Sequence, residues 1–111
     1  MPRFASLYEL PYYAAIFTSL RHGDDAGYSE TALNLEKRAA TLPGFLGIES
    51  ARDETGFGIS VSYWTDEAAL KSWKSDAEHM LAQKLGKTRW YTRYSLRIAV
   101  VGRNHEGPEN R

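Results

Sequence analysis

His79 is the side chain in this sequence best suited to moving a proton near neutral pH, because an ordinary imidazole titrates there. It is one of three histidines, with His22 and His105, and it follows Trp73 by six residues within the stretch from Gly56 to Gly86. Trp64, Trp73, Trp90, Tyr13 and Phe17 are large rings that could wall a dry pocket around such a group. A base in an aromatic pocket suits deprotonation of a phenol or quinol, with hydrogen-bond donors steadying the oxyanion. The competing assignment is a surface or capping histidine and tryptophans that only fill core. We take His79 as the candidate catalytic residue, and Tyr13, Phe17, Trp64, Trp73 and Trp90 as candidate substrate-binding residues.

Other chemistries find little support. The 111 residues include no cysteine, which excludes disulfides, thiolate catalysis and cysteine-held metals or clusters. The histidines fall in a loop, a helix and a tail with no ligand spacing, so no metal site is expected. Gly44, Gly47, Gly56 and Gly58 fall at a helix end and a hairpin rather than in a phosphate-binding loop. Glu49 and Glu78 have no evident second acid. Fourteen basic side chains balance 14 acidic ones, which removes a global electrostatic case for nucleic acid or an anionic membrane. Met1-Pro2-Arg3 leads into no long apolar run, so the expectation is a cytoplasmic protein without signal peptide or membrane span.

The elements that must position these residues follow from periodicity and punctuation. Tyr12 to Leu20 reads as a central strand, apolar or small on both faces. A turn-rich break at residues 21–25 offers an aspartate cap, and Tyr28, Ala32, Leu35, Ala39 and Leu42 mark the stripe of a helix. Pro43-Gly44 ends it. Phe45 to Arg52 and Phe57 to Trp64 flank the turn Asp53-Glu54-Thr55-Gly56 and predict an antiparallel hairpin. In its second strand Phe57, Ile59, Val61 and Tyr63 form one apolar face, and the other is small until Trp64.

Thr65 or Asp66 can cap the next helix, whose stripe is Leu70, Trp73, Ala77, Met80 or Leu81, and Leu85. Ser75-Asp76-Ala77-Glu78 has the form of a capping box, which predicts a bend or restart at Ser75. His79 would then lie in a first turn, where the helix dipole disfavours the charged ring. A last strand covers about Trp90 to Val101. The domain is expected over residues 12–102, with a lead-in at 1–11 and a flexible tail at 103–111. The order predicts a ferredoxin-like βαββαβ fold of the α+β class: a four-stranded antiparallel sheet with helices on one face. Strands that are apolar on both sides imply a second copy on the bare face, hence a homodimer.

Pro43-Gly44-Phe45-Leu46-Gly47, the run Ser62-Tyr63-Trp64-Thr65-Asp66-Glu67-Ala68-Ala69, then Trp73 and Glu78-His79, resemble the antibiotic-biosynthesis-monooxygenase-like family of dimeric α+β barrels. The resemblance spans roughly Tyr12 to Val101. It implies a dimeric barrel and a cofactor-independent oxygenase for a small phenolic or quinol-like molecule, carrying no flavin, haem or metal. A non-catalytic, dimeric small-molecule-binding or structural protein of the same fold is the alternative. The family's haem-degrading branch places its iron-ligating histidine ten residues after the helix tryptophan, where this chain has Gln83. That branch's first-strand asparagine has no counterpart between Tyr12 and Leu20 either. RNA-recognition modules share the strand–helix order, but Ile59 and Ser62 stand where their base-stacking aromatics belong.

Overall fold

The computed structural model of the chain describes residues 4–22, 27–83 and 90–108. Its elements are β1 (Tyr12–Arg21), α1 (Tyr28–Thr41), β2 (Phe45–Arg52), β3 (Phe57–Trp64), α2 (Glu67–Gln83) and β4 (Tyr91–Val101). All strand pairs are antiparallel and the sheet order is β2-β3-β1-β4, with both helices on one side. This is the ferredoxin-like α+β arrangement expected from the element order. No helix among the described residues is long and apolar enough to cross a membrane.

Two local expectations are corrected. α2 runs without a break through Ser75. Asp76 does not open a new helix, because its carboxylate accepts from Nε of Arg38 on α1 at 2.8 Å. Glu78 sits 3.1 Å from Nζ of Lys74, one turn back. Helical amides in mid-helix already have partners, so the box pattern has nothing to cap there. His79 therefore lies well inside α2, away from the helix N-terminus whose dipole would disfavour a charged ring. The residue before α1 is Gly27, at φ 86°, with no side-chain cap; Asp24 and Asp25 lie outside the described residues. Elsewhere local chemistry holds, and Asp66 accepts the Ala69 amide at 2.8 Å to start α2.

The registers group the helix-facing side chains into rows that cross the sheet. Phe45, Trp64, Tyr13 and Val100 form the first, and Ile48, Ser62, Ala15 and Ile98 the second. Ser50, Ser60, Phe17 and Leu96 form the third, and Arg52, Gly58, Ser19 and Tyr94 the fourth. The core gathers at the first two rows, where Trp64, Ala15, Ala39 and Leu70 are buried and Tyr13, Leu42, Phe45, Ala69 and Trp73 pack around them. Truncating Leu70 to alanine there should cost about 2–5 kcal/mol.

The apolar face of β3 points away from the helices. Tyr63, Val61, Ile59 and Phe57 share that open face with Tyr12, Ala14 and Leu20. At one end the chain crosses it: the Ala5 amide donates to Glu49 at 3.0 Å, and the Tyr8 hydroxyl donates to the Leu46 carbonyl at 2.7 Å. Asn104, in the segment expected to be a flexible tail, donates to the Tyr8 carbonyl and the Tyr12 hydroxyl. Phe57, Ile59 and Leu20, beyond this cover, remain exposed.

Candidate functional site

Small side chains on β3 leave space beneath the helices. Gly58, Ser60 and Ser62 alternate along its helix-facing side, and next to them stand Ala15 on β1 and Ser50 on β2. Tyr28, Ala32 and Leu35 of α1 and Leu70, Trp73 and Ala77 of α2 span this hollow floor without filling it. The result is a cavity of about 650 Å³ between sheet and helices, within the size range of small-molecule sites.

The cavity has two aromatic ends. At one, Trp73 stacks on Trp64 with ring centres 5.9 Å apart, and Phe45 meets Trp64 edge-on at 5.4 Å. Trp64 is fully buried and its indole N–H donates to Ser62 Oγ at 2.9 Å, which fixes the ring plane on which Trp73 lies. At the other, Phe17 contacts Tyr91 and Tyr94 at 5.4 and 5.6 Å, while Tyr28 contacts Trp90 and Tyr91 at 5.6 and 5.9 Å.

Arg52 occupies this second end. Its side chain crosses β3 over Gly58, where an added Cβ would lie 2.7 Å from the guanidinium carbon. Nη2 donates to Ser19 Oγ at 2.7 Å and to the Tyr28 hydroxyl at 3.3 Å, while Nη1 donates to the Gly56 carbonyl. The Tyr91 hydroxyl lies 3.5 Å from that of Tyr28. Burial, and then the Tyr28 hydroxyl beside it, raise the Tyr91 pKa, so the phenol keeps its proton throughout the physiological range. Arg21 places its guanidinium 3.9 Å from the centre of the Tyr28 ring. The carboxylates on the wall are Glu36 of α1 and Glu78 of α2.

The residues singled out from sequence are distributed unevenly around this space. Phe17 and Trp73 line it. Trp64 stands behind Trp73 and Trp90 behind Tyr28, both buried, so each supports a wall ring from outside the cavity. Tyr13 packs against the core in the first row. His79 is exposed on α2 and contributes nothing to the cavity wall. Sequence reasoning missed Arg52, Tyr28 and Tyr91. One available signal was the Gly58-Ser60-Ser62 alternation, since a strand face that small cannot fill the space beneath a helix. Among the described residues no three His, Asp or Glu side chains gather as metal ligands would.

Comparison with known proteins agrees with this architecture. The uncharacterized protein YqjZ of Bacillus subtilis is 45% identical over 102 residues, covering 92% of this chain and 90% of that one. The jasmonate monooxygenase ABM of Pyricularia oryzae is 33% identical over 78 residues; the match takes in 67% of this chain and only 35% of the larger protein. Among solved structures, SnoaB, a cofactor-independent oxygenase from Streptomyces nogalater, superposes with a TM-score of 0.61 at 16% identity, covering 89% of this chain and 98% of its own. At that identity the likeness shows the fold alone. The antibiotic biosynthesis monooxygenase family matches residues 11–85, and the chain belongs to that family.

Proposed function

We propose that the protein is a cofactor-independent monooxygenase that oxidises a small phenolic or quinol-like molecule in the cavity between α1, α2 and the sheet. The observation that carries this reading is the cavity itself: an enclosure of about 650 Å³ walled by Phe17, Trp73, Leu70, Tyr94 and Leu96, with carboxylates at its rim. Membership of the monooxygenase family supports oxygen chemistry, and the two relatives named for oxygenase activity point the same way.

Such a reaction needs an electron-rich anion and dioxygen. A wall base removes a proton from the substrate, and the resulting anion passes one electron to dioxygen. The radical pair then couples at a ring carbon that still bears hydrogen. Protonation gives a hydroperoxide, which loses water and leaves a carbonyl. The two hydrogens lost by the substrate leave in that water, together with one oxygen atom; the other oxygen stays in the product. The protein supplies a dry cavity, a base and donors to the oxyanion. We assign the base to a wall carboxylate, Glu36 or Glu78, because His79 is exposed and stands outside the wall.

The bare sheet face supports a homodimer, with Phe57, Ile59 and Leu20 as the exposed apolar patch that a second copy would cover. In this reading the assembly is the dimeric barrel expected from sequence. The activity test is oxygen uptake with a panel of hydroquinones and anthrone-like compounds, comparing wild type with Trp73→Ala, Glu36→Gln and Glu78→Gln. Removing the base should cost on the order of a hundredfold to ten-thousandfold in turnover. Uptake equal to buffer with every compound would instead favour a protein that binds without turnover.

A further inference from the structure

We infer that the ligand of this cavity carries a carboxylate, received by Arg52 and the Tyr28 hydroxyl at the end of the cavity opposite Trp73. The inference rests on the cavity being a ligand site, and it adds the chemical class that the site selects.

Among the described residues, no carboxylate answers the charge of Arg52. The groups among them that it hydrogen-bonds are Ser19 Oγ, the carbonyls of Ser19 and Gly56, and the Tyr28 hydroxyl, all of them neutral. A structural arginine at a partly buried position ordinarily meets a carboxylate, because neutral acceptors do not offset the cost of removing the cation from water. Here the guanidinium is fixed in place over Gly58, where its charge can attract an anion. Ser19 is itself buried, so the frame that holds the guanidinium is rigid.

The Tyr28 hydroxyl adds direction. It accepts from Arg52 Nη2, and the Tyr91 hydroxyl is placed to donate to it from 3.5 Å. A hydroxyl that accepts twice has its own proton left to give, and a donor polarised by a cation is a strong one. Tyr91 keeps its proton, and the described groups that close this end, Arg52, Tyr28 and Tyr91, include no carboxylate to deprotonate a bound phenol. The negative charge must arrive on the ligand. A carboxylate does so at neutral pH, whereas an ordinary phenol is still protonated. The rest of the ligand then lies along Phe17, Leu96 and Leu70 toward Trp73, an apolar path that suits an aromatic or alicyclic body.

Calorimetric titration of the protein with matched pairs tests this: 2-naphthylacetic acid against 2-naphthylacetamide, and 3-phenylpropionic acid against its amide. In the wild type each acid should bind about tenfold or more tightly than its amide, the scale of one charge-assisted contact. Arg52→Gln should bring that ratio near one, weakening the acid by far more than the amide. Tyr28→Phe, which keeps the ring packing, should lower the ratio by several-fold. Gly58→Ala should lower it as well by displacing the guanidinium. Equal binding of acid and amide to the wild type would overturn the carboxylate assignment while leaving the cavity a ligand site. A preference that survives both Arg52→Gln and Tyr28→Phe would overturn it too. If no probe binds, the cavity reading itself falls, and this inference with it.

Discussion

At the scale of single residues, the position of a side chain relative to the cavity separates chemistry from support. His79 was the natural base on sequence alone, since an ordinary imidazole titrates near neutrality and, of the three histidines, it was the one expected on a helix near Trp73. Its place outside the cavity wall predicts that His79→Ala will hold turnover within a few-fold of wild type, whereas one of Glu36→Gln and Glu78→Gln will not. Oxygen uptake under identical conditions checks this, and a loss of about a hundredfold in His79→Ala would return the base to histidine. Ser62 makes a second prediction. Its hydroxyl accepts the buried indole N–H of Trp64, so Ser62→Val should cost about 1–3 kcal/mol by leaving that donor unpaired. Chemical denaturation would read the loss directly. Aromatic richness was legible from the sequence, and Phe17 and Trp73 do face the cavity. The role of Arg52 was not, because it depends on Gly58 of the adjacent strand leaving room and on Ser19 two strands away.

At the scale of elements, strand limits were legible because turn chemistry and the period of two act locally. β2 and β3 run from Phe45 to Arg52 and from Phe57 to Trp64, as their flanking Gly and Asp residues imply. The restart at Ser75 misled for a complementary reason: Asp76 was taken as part of a local cap, while its partner is Arg38 on another helix. A motif read in one dimension cannot reveal a partner 38 residues away. Two predictions belong here. Gly44 follows α1 at φ +86°, and an added Cβ would meet Ala69 Cβ at 2.6 Å and Thr65 Oγ1 at 2.8 Å. Gly44→Ala should therefore destabilise by about 1–3 kcal/mol or more, seen as a clear drop in melting temperature. On the open sheet face, burial and the 2.8 Å hydrogen bond to Glu49 push the Tyr63 pKa up to about 12 from 10.0. A raised pKa means that the folded state holds this proton more tightly. The contribution is complete below pH 10 and is lost as pH climbs toward 12. Thermal melts across that window should fall less steeply for Tyr63→Phe, and parallel slopes would count against the assignment.

At the scale of the whole molecule, the sheet separates two tasks by face. Apolar bulk on β3 points to the open side, where Phe57 and Ile59 stand 47% and 41% exposed, and the helix side is left hollow. Sedimentation velocity at micromolar protein should show a dimer. Ile59→Glu should shift it toward monomer without unfolding it, and a monomer in the wild type would refute the two-copy assembly. The element order alone already implied both a covered and a bare face. Which face of β3 met the helices was undetermined, because alternation gives two faces and no direction. That orientation has a consequence for how such a protein can change over generations. The hollow is floored in part by Ser50 and Ser60, neither of which belongs to the buried cluster around Trp64 and Leu70. Substitutions there alter the volume and polarity offered to a guest while the packing that holds the fold goes untouched. Such positions let a lineage explore new guests by single steps, each nearly neutral for folding, with the shape of the vacancy evolving separately from the frame around it.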